Sequence, residues 1–201
     1  MTAIEVARLL IEVRAVEMRT DPEQWFTWAS GTRSPIYCDN RILFSYPEER
    51  AVVADALAAG VREHFADAEV IAGTATAGIP HAAWVAERLE LPMVYVRGEA
   101  KGHGRKNQVE GRALAGERVV LIEDLISLGG SSGSAVEALL REGGKVVGIL
   151  AIFTYGFPAA ARRLGELGTP WHTLTGYEVL LDTLDLDDAT RDHLLRWQQE
   201  V

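Results

Sequence analysis

The sequence predicts an α/β protein built on a parallel sheet flanked by helices on both faces. Short apolar runs at 70–72, 93–96, 119–122 and 146–153 have the length and composition of buried strands. Helical patterns at about 80–89 and 135–141 alternate with them. Strands spaced in this way pair in parallel through right-handed crossovers, because a tight turn cannot reach a parallel neighbour. In such sheets ligands bind where the loops leave the carboxyl ends of the strands, here after Ala72, Val96, Ile122 and Phe153.

The elements follow in order. Thr2-Ala3-Ile4-Glu5 has the spacing of a capping box, and Ile4, Ala7, Ile11, Ala15 and Met18 recur on one helical face after it. Residues 25–44 form an aromatic, hairpin-like region, with Trp25, Phe26, Trp28, Ile36, Tyr37 and Leu43 broken by Ser30-Gly31 and Ser34-Pro35. A second helix opens at Ser45-Tyr46-Pro47-Glu48 and directs Val52, Leu57, Val61 and Phe65 to the core. Pro80 falls in the first turn of the 80–89 helix, where a missing N–H costs little. After the strand at 146–153 the sequence suggests a small further strand and a last helix at about 187–199, packed through Leu194, Leu195 and Trp197.

Composition narrows the function classes. The 201 residues suit one domain with a substantial core, and 48% hydrophobic with 24% charged residues is ordinary for a soluble globular chain. A net charge of −9 argues against a nucleic-acid-binding surface, which needs a basic face. The carboxylates of Asp182, Asp185, Asp187, Asp188 and Asp192 read as a solvated acidic stretch. A single cysteine, Cys38, excludes an internal disulfide framework and a cysteine-built metal site, and it reads as a small buried hydrophobe. With no apolar run long enough for a bilayer and no signal-peptide pattern, the expectation is a cytoplasmic enzyme without a membrane or nucleic-acid partner.

The chemistry concentrates in residues 119–132. Four apolar residues lead to Glu123 and Asp124, and Ser127, Gly129, Gly130, Ser131 and Ser132 follow before a helical pattern starting at about Gly133. Adjacent acids at the end of a buried strand need cationic or hydroxylic partners, because an unpaired buried charge is prohibitive. A Gly/Ser turn opening a helix offers free N–H groups and a positive dipole end, which suit a phosphate. Acids for sugar hydroxyls beside amides for a phosphate make a sugar-phosphate site. The turn 73–78, with Thr74 and Thr76, contains only small residues that let backbone amides approach a ligand. Residues 97–111 are long, polar and glycine-rich, and carry Arg97, Lys101, His103, Arg105 and Lys106, as expected of a mobile cationic lid. Neither the P-loop nor the dinucleotide-binding glycine pattern is present.

Segment 119–132 resembles the signature of the type I phosphoribosyltransferases, and the matching segments run in order from about residue 20 to 155. Phe26-Thr27-Trp28-Ala29-Ser30-Gly31, the run 34–41, the turn 73–80 and Lys101-Gly102-His103-Gly104 resemble the orotate branch of that family. The resemblance implies a single phosphoribosyltransferase domain over 1–201, with a small hood built from N-terminal and C-terminal segments. Residues 20–45 would contribute to a base-binding hood, and 97–111 would be the lid. It implies transfer of ribose 5-phosphate from phosphoribosyl pyrophosphate to orotate, giving orotidine 5′-monophosphate and pyrophosphate in pyrimidine biosynthesis. Ser127, Gly129, Gly130, Ser131 and Ser132 would hold the 5-phosphate, with Thr74 and Thr76 also on the substrate. Glu123 and Asp124 would accept the ribose hydroxyls and stabilise an oxocarbenium-like state. Lys101, His103 and Arg97 would act on the departing pyrophosphate, and Tyr37 would lie against the pyrimidine. Mg2+ would be held mainly by pyrophosphate and sugar oxygens rather than by a protein metal site. A homodimer sharing lids across subunits is implied.

Four positions depart from the family pattern, since Ala29, Ala77, Gly98 and Gly156 stand where relatives often carry cations. Arg33 and Arg41 are candidate replacements. Two rivals remain open at this point: a purine phosphoribosyltransferase, and a non-catalytic regulator of the same fold that senses phosphoribosyl pyrophosphate.

Overall fold

The structure is a computed structural model that describes residues 1–28, 31–98 and 108–201. Helix α1 (Ala3–Glu12) begins with the expected capping box: Thr2 Oγ1 accepts from the Glu5 amide, and Glu5 accepts from the Thr2 amide at 2.7 Å. Arg14, at φ 59°, ends the helical run. The chain then forms strand β1 (Val16–Met18), antiparallel to β4 (Ile36–Cys38), after the short hairpin β2 (Phe26–Thr27) and β3 (Arg33–Ser34). Ala15 and Met18 therefore do not extend the helical face, because pairing with a distant strand overrides the local period. A 3-10 segment, Asn40–Ser45, leads into α2 (Pro47–His64). Leu57, Val61 and Phe65 are buried as expected, whereas Val52 is 43% exposed and does not face the core.

The main sheet contains β5 (Val70–Thr74), β6 (Met93–Val96), β7 (Val109–Glu110), β8 (Arg118–Ile126), β9 (Lys145–Thr154) and β10 (Trp171–Gly176). Its order is β10-β9-β8-β5-β6-β7, and all neighbours are parallel except the edge strand β7. Alternation along β8 sends Val120 and Ile122 to one face and Val119 and Leu121 to the other. The first face is covered by α1, α2 and α3 (Gly78–Leu89), the second by α4 (Gly130–Arg141) and α5 (Pro158–Glu166). Helices α6 (Tyr177–Leu181) and α7 (Asp188–Glu200) complete the chain. Trp197 of α7 donates to the Arg33 carbonyl at 2.9 Å, and Gln198 donates to the Tyr155 carbonyl at 2.7 Å. These bonds, with Trp25 and Trp28 packed against Trp197, join the C-terminal helix to the N-terminal hairpin and form the expected hood.

From β5 the chain moves outward to β6 on one side and returns to β8 on the other. The turns after β5 and β8 therefore diverge, leaving a crevice at the carboxyl ends of adjacent strands. Two glycines let helix α3 sit against the sheet at that crevice. A Cβ on Gly78 would lie 2.7 Å from the Ile122 carbonyl oxygen, and one on Gly73 would lie 2.8 Å from Ala82 Cβ. These glycines serve helix–strand packing, in addition to any approach to a ligand. Replacing Gly78 with alanine should destabilise the protein by roughly 1–3 kcal/mol, because the obstacle is backbone and cannot rotate away. Chemical denaturation measures this, and an unchanged midpoint would contradict the close packing.

Candidate active site

A cavity of about 610 Å³ occupies the crevice between the β5 and β8 turns. Thr74, Ala75, Thr76 and Ala77 form one wall, and Glu123, Asp124, Ser127, Gly129, Gly130 and Ser131 form the other. The peptide between Ala75 and Thr76 is cis. Cys38, Asp39 and Arg41 close the side toward the hood. Cys38 is otherwise buried, and burial pushes its thiol pKa up.

The acidic pair does not follow the end of the strand as expected. Strand β8 continues pairing with β9 to Ile126↔Thr154, so both acids are strand residues with side chains on opposite faces. Glu123 is 3% exposed and accepts a hydrogen bond from Ser132 Oγ at 2.8 Å. Burial is the main influence and raises its pKa to about 8, with Ser132 and Thr74 opposing that shift and the Asp124 charge adding to it. The buried Thr74 hydroxyl makes no hydrogen bond of ordinary geometry, though it favours the ionised carboxylate. Asp124 is raised to about 6, again mainly by burial. Its carbonyl accepts from Asn40 Nδ2 at 2.6 Å, which ties the 3-10 segment to β8.

Helix α4 starts at Gly130 rather than near Gly133, so Ser131 and Ser132 lie in its first turn. Gly129 makes the tight entry at φ 77°, where a Cβ would lie 3.2 Å from Ala160 Cα. First-turn amides have no intrahelical acceptor, and the dipole favours an anion there. Ser132 is a partial correction: its hydroxyl is fully buried and bonded to Glu123, so that oxygen is not presented to a phosphate. Its amide remains part of the turn.

A second cavity of about 350 Å³ adjoins the first and is lined by Thr27, Trp28, Tyr37, Leu125, Ser127 and Tyr155. Leu125 and Ser127 line both cavities. Tyr37 is 45% exposed in this aromatic slot, with its ring 5.7 Å from Phe26. Arg97 lines neither cavity. It sits at the root of the β6–β7 hairpin, where its amide donates to the Gln108 carbonyl at 2.9 Å and its guanidinium pairs with Glu110 at 3.5 Å. The two described ends of the span 97–111 are thus bonded to each other, and Lys101, His103, Arg105 and Lys106 lie outside the described residues. Arg41, one of the two candidate replacement cations, lines the cavity, whereas Asp39 and Asn40 joined the site only through the fold. Their one sequence signal was their place in the segment that follows Tyr37.

Among the described residues no group of three or more His, Cys, Asp and Glu side chains could hold a metal, and no helix is long and apolar enough to cross a membrane. A buried and a half-buried carboxylate beside a helix N-terminus, set at the switch point of a doubly covered parallel sheet, have the arrangement of a sugar-phosphate-binding α/β protein.

Residues 45–164 match the family described as phosphoribosyl transferase domain. The chain is 46% identical over 201 residues to orotate phosphoribosyltransferase of Fusobacterium nucleatum, spanning 98% of this chain and 95% of that protein. It is 50% identical over 199 residues to orotate phosphoribosyltransferase of Bacillus caldolyticus, spanning 97% and 95%. The crystal structure of orotate phosphoribosyltransferase from Aeropyrum pernix superposes with a TM-score of 0.77 at 32% identity, spanning 88% of this chain and 96% of that one. The chain belongs to the phosphoribosyltransferase family and, within it, to the orotate phosphoribosyltransferases.

The raised pKa of Glu123 makes stability depend on pH. The unfolded chain releases this proton near 4.5 and the folded one near 8, so stability present below pH 4.5 is lost as pH rises toward 8. The loss approaches about 1.4 kcal/mol for each unit of separation. Glu123→Gln should therefore stabilise the ligand-free protein by a few kcal/mol at pH 8 and hardly at all at pH 4.5. Denaturation at the two pH values checks this, and an equal effect at both would contradict the buried, protonated acid.

Proposed function

We propose that this protein transfers the 5-phosphoribosyl group of phosphoribosyl pyrophosphate to N1 of orotate, in the cytoplasm, in the pyrimidine biosynthetic route. The observation that carries this reading is the junction at Leu125 and Ser127, where a sugar-phosphate cavity opens into an aromatic slot. A flat base in the slot would meet the sugar C1 at that junction. N1, having given its proton to solvent, forms the bond to C1. The bond from C1 to the pyrophosphate oxygen breaks, and both electrons leave with pyrophosphate.

On this reading the α4 first turn binds the 5-phosphate through the amides of Gly130, Ser131 and Ser132 and the hydroxyls of Ser127 and Ser131. Asp124 and Glu123 accept the ribose 2- and 3-hydroxyls. A donor hydroxyl against Glu123 favours its ionised form, and fixed negative charge then stabilises the positive C1 that develops in the transition state. Thr74 and Thr76 lie on the wall that would face the pyrophosphate, and Tyr37 stacks on the base.

The donor set also fits a divalent cation brought by the substrate. Asp39 and Asp124 line the cavity with the single cation of Arg41 among the described residues, and that cation is already paired with Asp39, so a polyanion entering alone would find little attraction. Mg2+ is a hard ion that would be held mainly by substrate oxygens and water, with Asp124 and Glu123 the nearby carboxylates that would support it. When bound it would neutralise the leaving pyrophosphate.

The lid 97–111 would close over the leaving group, with Lys101 and His103 donating to it and Arg97 anchoring its base. In a homodimer each lid would serve the neighbouring subunit's cavity. Purified protein with Mg2+ and phosphoribosyl pyrophosphate should consume orotate, followed by loss of its ultraviolet absorbance, with release of pyrophosphate. Turnover with a purine base and not with orotate would overturn the assignment. Lys101→Ala and Asp124→Asn should each be nearly inactive, and mixing them should restore up to about a quarter of wild-type activity through hybrid dimers that retain one intact site. No rescue would mean that each lid serves its own subunit.

A further inference from the structure

Arg41 is the only cationic side chain lining the larger cavity among the described residues. Its guanidinium is unusually well fixed for a group whose side chain is 62% exposed. Asp39 accepts from Arg41 Nε at 2.6 Å and from one terminal nitrogen at 2.7 Å, and it also accepts the Arg41 amide at 3.1 Å. The intervening Asn40 is fully buried and anchors the segment to β8 through the Asp124 carbonyl. An exposed ion pair contributes little to stability, so the consequence of this arrangement is direction rather than strength. A bidentate carboxylate uses only part of the guanidinium fork, and the remaining N–H donors stay available to another acceptor.

Among the described residues, no other cation lines the cavity. Gly156 stands at φ 70°, a conformation that strains any L side chain, and a Cβ there would displace Gln198 Nε2, 2.6 Å away, from its bond to the Tyr155 carbonyl. The Arg33 guanidinium donates to the Pro22 carbonyl, and Arg97 pairs with Glu110. Ala77 lines the cavity without a charge.

We propose that Arg41, oriented by Asp39, binds an anionic oxygen of the substrate, with Asp39 as its positioning residue. The inference rests on the phosphoribosyl-transfer reading of the same cavity. The acceptor is a planar or tetrahedral oxyanion, which the reaction supplies in two places: the carboxylate of orotate and the diphosphate of the donor. Asn40 keeps this contact in register with the acidic pair, so the anion and the sugar hydroxyls are held from one stretch of backbone.

The test compares wild type with Arg41→Ala, Arg41→Lys, Asp39→Asn and Asp39→Glu. Arg41→Ala should raise one KM by roughly ten- to a hundredfold, the range for a lost charge-assisted hydrogen bond, with little change in thermal midpoint. A rise in the orotate KM, with a collapsed preference for orotate over uracil, assigns the carboxylate. A rise in the phosphoribosyl pyrophosphate KM, with weaker inhibition by pyrophosphate, assigns the diphosphate. Asp39→Asn should move the same KM by a smaller factor, and Asp39→Glu should restore part of it, which a purely structural role would not produce. Both KM values within about twofold of wild type in Arg41→Ala would overturn the proposal. Calorimetric titration of each substrate separately into wild type and Arg41→Ala reads the same contact without turnover. It therefore separates a failure of this inference from a failure of the assigned reaction.

Discussion

The site depends on one buried carboxylate. Glu123 is held in the interior of the central strand, where its ionised form lacks solvent and has only hydroxyl partners. The bond from Ser132 joins that strand to the first turn of α4. Glu123 and the first turn of α4 are consequently one mechanical unit, and neither can shift without breaking the bond between them. A ligand that supplies a sugar hydroxyl and a phosphate together satisfies both ends of this unit. The raised pKa keeps the acid protonated in the ligand-free protein, so on the proposed reading function and stability at this residue pull in opposite directions.

Sheet order turns that unit into a cavity. Because β8 and β5 are neighbours while their following turns diverge, the 74–77 turn faces the acids across the crevice. The approach is close enough that Gly78 must lack a side chain beside the Ile122 carbonyl. The hood then depends on contacts between the chain's two ends. Trp197 reaching the Arg33 carbonyl holds the hairpin that carries Trp28, and Trp28 with Tyr37 lines the second cavity.

Much of this architecture was legible in the sequence where the cause is local. The Thr2–Glu5 capping box, the apolar strand cores and the acid pair followed by a Ser/Gly turn each state their physics within a few residues. What escaped was decided by distant partners. Val16–Met18 looked helical until Ile36–Cys38 paired with it, and β8 outran its apolar core because β9 continued beside it. Helices α5 and α6 gave no distinctive signal. The role of Ser132 could not be read locally, since a serine in a helix's first turn serves a phosphate or a neighbouring carboxylate equally well. Likewise Asn40 could not be read as a site residue, and the choice between Arg33 and Arg41 could not be made, until a bond across 84 positions brought their segment to Asp124.

Charge bears on why the described wall of the cavity carries a single cation. Among the described residues, Asp39 and Asp124 line the cavity with one guanidinium that is already paired with Asp39, and Glu123 would add a further negative charge when ionised, so the open site offers a bare polyanion little attraction. On the proposed reading the missing positive charge arrives from outside the body of the protein: from the metal complexed with the donor and from the lid. Both contributions are reversible, whereas a lysine fixed in the cavity wall would hold pyrophosphate as firmly after the reaction as before it. A site that borrows its cations stabilises the leaving group only while metal, lid and substrate are assembled, and the acidic wall then favours release once the lid opens.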